Sequence, residues 1–370
     1  MQPSPFKLER YFAQYEFDVP FLACASDCES FSICEILSWE PGAQKTFLDM
    51  HLGYTESLGN PLLREEISKL YTDIKPDQVL VHSGAEEAIF NFMNVVLQKE
   101  NHVIVHWPCY QSLFEIANQI GCSVSKWQVN PKNNWEMELN NLENLIQPNT
   151  KLLIINCPHN PTGYLMPKKD WISLSQICEK NSILIFSDEV YRFLEYDEAD
   201  RLSAFCDLNE RAVSLGVMSK SFGLPGLRIG WVATRNQKIL EQLAAFKDYT
   251  TICNSAPSEF LAILALKNRE QIIHRNLKII MENMKILDSF FKNHQNRFSW
   301  PKPKAGPIAF PSLREEESKP FCQNLVRDAG ILLLPGSLYG DEFARHFRVG
   351  FGRKNFPECI EQLDQYIETH

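Results

Sequence analysis

The feature that most constrains the fold is a recurring unit: a short, almost wholly apolar run, a turn, and then a stretch with helical spacing. The run QVLVH (78–82) passes through Ser83 and Gly84 into AEEAIFNFMNVVL, where Ala88, Ile89, Phe92, Val95 and Val96 share one helical face. HVIVHW (102–107) leads through Pro108 into SLFEIANQIG, and CSVSKWQV (122–129) follows. KLLIINCP (151–158), a helical stretch from Trp171 to Cys178, ILIFSDE (183–189), AVSLGV (212–217) and LRIGWVAT (227–234) continue the series. Strands apolar on both faces must be covered on both faces. The pattern therefore predicts an α/β fold with a mostly parallel central sheet flanked by helices.

Beyond about residue 250 the pattern changes. Residues 256–293 read as long helical segments with Ile279, Ile280, Met284 and Leu287 in register. PIAFPSL, a helix around Phe321 to Arg327, ILLLPGS, HFRVGF and a closing helix then suggest a smaller α+β unit. The first 45 residues lack the sheet pattern and are expected to pack with it. The predicted organisation is a large domain over 46–255 and a small domain built from 1–45 and 256–370.

Charge and composition narrow the function. The chain has 370 residues and a net charge of −9, with no basic block or stripe, which argues against nucleic-acid and anionic-membrane partners. No apolar run is long enough to span a bilayer, and the N-terminus MQPSPFKLERYFAQYEF does not read as a secretory signal. The 11 cysteines are scattered without metal-ligand spacing, so no metal is expected. They read as reduced, mostly buried thiols of a cytoplasmic protein, with a Cys24–Cys28 disulfide as the alternative.

In open parallel sheets, ligands bind at the carboxyl ends of the strands. Those positions carry Ser83-Gly84-Ala85-Glu86, Trp107-Pro108-Cys109-Tyr110, Asn156 to Gly163, Ser187 to Tyr191, and Ser219-Lys220. One site thus receives a helix start, an aromatic ring, an amide, a carboxylate with a phenol, and a lysine. A helix opening at Gly84 suits a phosphate, and Arg228 adds a charge-assisted contact. No GxGxxG or GxxxxGK[ST] is present, so a dinucleotide or P-loop site is not indicated. A desolvated lysine near a cation has a lowered pKa and is ready to form a Schiff base. Phosphate, lysine, ring-nitrogen carboxylate and stacking ring together describe pyridoxal 5′-phosphate.

At these residues the chain resembles the class I/II aminotransferases, a family of fold-type I PLP-dependent enzymes. The resemblance runs from about Tyr54 to Phe356 through GYTESLGNPLLREEI, HSGAEEAI, WPCY, NCPHNPTG, SDEVYR, SKSFGLPGLRIGW and FRVGFG, in that order. It implies that Lys220 forms the Schiff base and shuttles the proton between Cα and C4′, and that Asp188 pairs with the pyridinium nitrogen. Asn160 and Tyr191 are implied to bind the ring oxygen, and Tyr110 to stack on the ring. Ala85, Glu86 and Arg228 would hold the phosphate, with Ser219 as a further contact. Tyr54 matches a residue that reaches the phosphate of the neighbouring subunit, which implies a homodimer with the site at the interface. Arg348 matches the arginine that grips the substrate carboxylate, with Asn160 beside it.

The implied activity is transfer of an α-amino group from an amino acid to a 2-oxo acid. The alternative in the same cofactor class diverts the quinonoid intermediate, as a lyase, cyclase or oxidase does, on arginine or another cationic amino acid. A non-catalytic sensor of PLP or an amino acid is the third reading. Two departures from the family pattern bear on this choice. Val217 stands where a hydroxyl residue often contacts the phosphate. The segment 22–37 replaces a glycine loop with Ser26, Asp27 and Glu29, whose acidic pair would suit a cationic side chain; here the chain is similar to PLP enzymes that modify arginine. His159 is read as a loop-packing residue and Cys109 as a small filler.

Overall fold

A computed structural model describes residues 4–370. Seven strands form the central sheet: β1 (Val79–His82), β2 (His102–Trp107), β3 (Ser123–Gln128), β4 (Thr150–Asn156), β5 (Leu184–Asp188), β6 (Ala212–Val217) and β7 (Gly230–Ala233). Their spatial order is β1-β7-β6-β5-β4-β2-β3. Strand β7 runs antiparallel to both neighbours, and every other pairing is parallel. The strands β1, β2, β5, β6 and β7 are buried along their whole length, as near-continuous apolar runs require. Strand β3 differs. It is one edge of the sheet, only Trp127 is buried, and Ser123, Lys126 and Gln128 are exposed as an edge strand tolerates.

Helices lie on both faces, including Ala85–Val96, Ser112–Ile120, Lys168–Lys180 and Gln237–Lys247. The stretch read as long helices is two, Ala256–Lys267 and Arg269–Asn293, parted at Asn268. The strand read over 227–234 starts only at Gly230. Pro225–Leu227 form a tight turn, and Arg228 takes a left-handed conformation with φ 50°.

A second, smaller sheet places Phe347–Gly350 between Ile308–Ala309 and Leu334–Pro335, all antiparallel. The N-terminal segment joins this region, because Phe21–Leu22 pairs in parallel with Ile331–Leu332. Gly350 permits the approach: a methyl there would lie 1.8 Å from the Ala25 carbonyl oxygen. The helix Ile33–Ser38 opens with a reciprocal cap between Ser32 and Glu35. All 11 cysteines are free, so Cys24 and Cys28 are not bridged. Among the described residues no helix is long and apolar enough to cross a membrane, and no cluster of His, Cys, Asp and Glu could hold a metal ion.

Candidate active site

The ends of β4, β5 and β6 open into a cavity of about 520 Å³. Strand β4 delivers Asn156 and, four residues on, Asn160; β5 delivers Asp188 and Tyr191; β6 delivers Val217, Ser219 and Lys220. Asn156 ties these loops together. Its Oδ1 accepts the Asn160 backbone N–H at 2.7 Å, and its Nδ2 donates to the Asp188 carbonyl at 3.0 Å. Ala85 and Glu86 come from the start of the helix after β1, Tyr110 from the turn after β2, and Arg228 from the left-handed turn before β7. Tyr54 lies outside the cavity of its own chain and is 93% exposed. The other sequence-selected site residues are together, Arg348 included.

Burial sets the electrostatics. Asp188 is 6% exposed, and its carboxyl receives the Val190 N–H at 3.3 Å. Burial raises its pKa from 3.8 to about 7, against smaller lowering effects of that N–H and of Lys220. Desolvation lowers the basicity of Lys220 in turn, with Asp27 opposing. Lys220 Nζ lies 2.7 Å from Ser26 Oγ, and the Tyr191 hydroxyl donates to the Ser26 carbonyl at 3.0 Å. Ser26 therefore meets two of the selected residues at once.

The helix Ala85–Val96 begins at Gly84, φ 85°, with no side chain capping its first N–H groups. A methyl at Gly84 would lie 2.5 Å from Arg228 Nη2, so the bare glycine is what lets the guanidinium lie beside the helix start. Gly230 serves the same approach from β7: a methyl there would sit 2.6 Å from the Gly84 carbonyl carbon.

Arg348 is 2% exposed and already partnered. Nε and Nη2 donate to the Cys24 carbonyl at 3.2 and 2.9 Å, and Nη1 donates to the Tyr339 hydroxyl at 2.8 Å and to Asn160 Oδ1 at 3.3 Å. A two-pronged grip on a carboxylate therefore requires the Cys24 carbonyl to yield. Asp27 lines the cavity but forms an ion pair with Arg353, 3.0 Å away. Glu29 does not line the cavity; its carboxylate accepts the Lys354 N–H at 2.9 Å. The acidic pair expected from segment 22–37 is thus corrected, because both carboxylates have partners in the chain.

Two carboxylates without an ion pair, Glu9 and Glu16, come from a helix that the sequence reading missed and from its end. The helix Lys7–Tyr15 lies against the cavity and contributes Glu9 and Phe12 to its lining, with Phe6 and Glu16 from its two ends. Glu9 accepts the Tyr110 hydroxyl at 2.9 Å, and Phe6 packs against the Tyr110 ring with centroids 4.9 Å apart. Burial raises the Glu16 pKa, with Arg353 opposing. The available signal was the spacing of Leu8, Tyr11, Phe12 and Tyr15 within KLERYFAQY. His159 is engaged on both ring nitrogens, by Thr162 Oγ1 at 2.6 Å and the Pro108 carbonyl at 2.7 Å, and stacks on His106 at 3.7 Å. Cys109 is buried, and its thiol is pushed well above the ordinary range.

A lysine of lowered basicity, a buried carboxyl without an ion-pair partner, uncapped helix N–H groups and an arginine converge on one cavity. The chain belongs to the family described as aminotransferase class I and II, whose sequence pattern it matches over residues 48–361. It is similar over its whole length to the crystal structure of a PLP-dependent aminotransferase from Streptococcus suis 89-1591. That likeness has a TM-score of 0.94 and 29% identity, covering 100% of this chain and 99% of the other. The PLP-dependent cyclase OrfR is similar with a TM-score of 0.91 and 26% identity, covering 100% and 98% of the two chains. Capreomycidine synthase of Streptomyces vinaceus is 25% identical over 367 residues, 98% of this chain and 92% of that protein.

The fold is therefore fold-type I, and the family implies pyridoxal 5′-phosphate as the cofactor. The residues present fit it. Asp188 is a buried carboxyl in want of a positive partner, which a protonated ring nitrogen supplies. The helix start and Arg228 offer the donors a phosphate needs.

Proposed function

We propose that the protein is an aminotransferase that moves the α-amino group of an amino acid to a 2-oxo acid, with pyridoxal 5′-phosphate joined to Lys220. The observation that carries this reading is the placement of Lys220, Asp188 and Arg348 around one cavity, with burial shifting the lysine and the carboxyl toward each other in pKa. When bound, the cofactor supplies a sink for the negative charge that develops at the substrate Cα.

The chain's residues do the rest. Asp188 holds a proton at the ring nitrogen. Lys220 Nζ, its basicity lowered by burial, moves the proton at Cα. Asn160 and Tyr191 donate to the ring oxygen, and Tyr110 covers the ring face. Ala85 and Glu86 through their N–H groups, with Ser219 and Arg228, hold the phosphate. Ser219 lines the same cavity as Val217 and supplies the hydroxyl that Val217 lacks. Arg348 holds the substrate carboxylate. Borohydride reduction of the yellow protein is expected to fix the cofactor on the peptide containing Lys220, and Lys220→Ala to abolish the label. A label on another lysine would contradict the assignment.

A second reading keeps the cofactor chemistry at Lys220 and changes the outcome to ring closure, elimination or reaction with dioxygen on a cationic amino acid. Two observations favour it. Glu9 and Glu16 face the cavity without a cationic partner of their own, so the mouth suits a positive side chain. Capreomycidine synthase also matches 98% of the chain, whereas the aspartate aminotransferase of Thermotoga maritima matches 85%.

A further inference from the structure

Tyr339 has no part in the assignments above, yet its hydroxyl is buried between two of the residues that carry them. The side chain is 5% exposed. Its hydroxyl donates to Asn160 Oδ1 at 3.2 Å and accepts from Arg348 Nη1 at 2.8 Å, while Nη1 also reaches Asn160 Oδ1 at 3.3 Å. The three groups close a triangle whose polarity is fixed. Arginine can only donate, so the phenol oxygen must accept from it and is left to donate to the amide oxygen. Asn160 is thereby held with Oδ1 turned to the wall and Nδ2 turned away from it. Burial raises the phenol above its usual range, with Arg348 opposing, so the hydroxyl keeps its proton to donate.

The ring itself is clamped. Phe310 packs edge-on with centroids 5.5 Å apart, and the Tyr339 N–H donates to the Gly336 carbonyl at 2.9 Å. Three residues on, Glu342 accepts the Trp107 indole N–H at 2.6 Å, which ties this segment to the end of β2. A phenol whose ring and backbone are held in this way can keep the Asn160 and Arg348 side chains in register.

We propose that Tyr339 is a positioning residue that sets, through one hydroxyl, both the amide of Asn160 that faces the cofactor and the guanidinium of Arg348 that takes the substrate carboxylate. The proposal rests on the cofactor reading given above. Removing the hydroxyl leaves one Arg348 N–H and one Asn160 lone pair without partners in a buried place, and both side chains must shift to recover them. A less well aimed Asn160 stabilises the ring oxygen less, so the bound cofactor holds its proton to higher pH.

The test is Tyr339→Phe in the holoenzyme, an isosteric change that keeps the ring packing. The midpoint of the pH titration of the cofactor's visible band is expected to rise by about 0.5–1 unit. KM for the amino acid should rise about five- to tenfold, with kcat changed less than about threefold. In an Asn160→Ala background the same substitution should no longer move the midpoint, because the amide it acts through is gone. A wild-type midpoint and KM in Tyr339→Phe would overturn the proposal, even if thermal stability fell, since a merely structural tyrosine moves only the melting temperature. A midpoint shift that persists unchanged in the Asn160→Ala background would overturn it too. A parent protein that binds no cofactor, and so shows no visible band, would overturn the cofactor reading together with the proposal.

Discussion

Asp188 and Lys220 owe their chemistry to burial more than to neighbours, and this makes a cost visible before any ligand binds. The Asp188 carboxyl is raised from 3.8 to about 7 in the folded chain. Between those values the folded state keeps a proton that the unfolded state has lost, so its contribution to stability falls as pH rises from about 4 to 7. Cofactor-free Asp188→Asn is therefore expected to exceed the parent in stability at pH 8 by roughly 2–4 kcal/mol. The gain should vanish near pH 4, and cofactor affinity should drop; paired thermal melts across this range check it. At this scale much was legible, because a polar residue at or just past the end of an apolar strand is conspicuous, and Asp188, Asn160 and Lys220 all stand there. Tyr339 was not. Nothing in LPGSLYGDEF marks a contact with an amide 179 positions away. Glu9 and Glu16 were hidden in the same way, since a charge on a helix face ordinarily means only a solvated face.

Between elements, two glycines decide how closely the pieces meet around the cavity. At Gly230, a methyl would lie 2.6 Å from the Gly84 carbonyl carbon and 2.8 Å from the Ala85 nitrogen. Both neighbours are backbone, so neither can turn aside. Gly230→Ala is expected to cost roughly 1–3 kcal/mol in the melt and to displace the helix start. Phosphate-bearing cofactor should then dissociate at least about tenfold faster or bind correspondingly more weakly, measured by dilution of the yellow form. The alternation of strands and helices announced these elements, and the seven motifs stood in the family's order along the chain. Packing details did not follow. The polar edge strand β3, the break at Asn268 and the helix Lys7–Tyr15 against the cavity depend on which surfaces other segments cover, which local spacing does not record.

Across the whole molecule, the exposed Tyr54 bears on assembly. We propose that it serves the cavity of a second copy, as the resemblance implies; it is 93% exposed and absent from the cavity of its own chain. Sedimentation should give a dimer, and Tyr54→Phe should weaken cofactor retention without lowering the melting temperature of the cofactor-free protein. A monomer that retains cofactor fully would refute this. The family and the cofactor follow from the chain as a whole, whereas the fate of the substrate depends on a few side chains at the mouth. The most direct test is a single half-reaction, mixing excess holoenzyme with each of a panel of amino acids that includes arginine, lysine and aspartate. Aminotransfer predicts one 2-oxo acid released for each cofactor converted to its pyridoxamine form. An amino acid consumed to a cyclic, eliminated or oxygenated product, with the cofactor left in its original form, would contradict it.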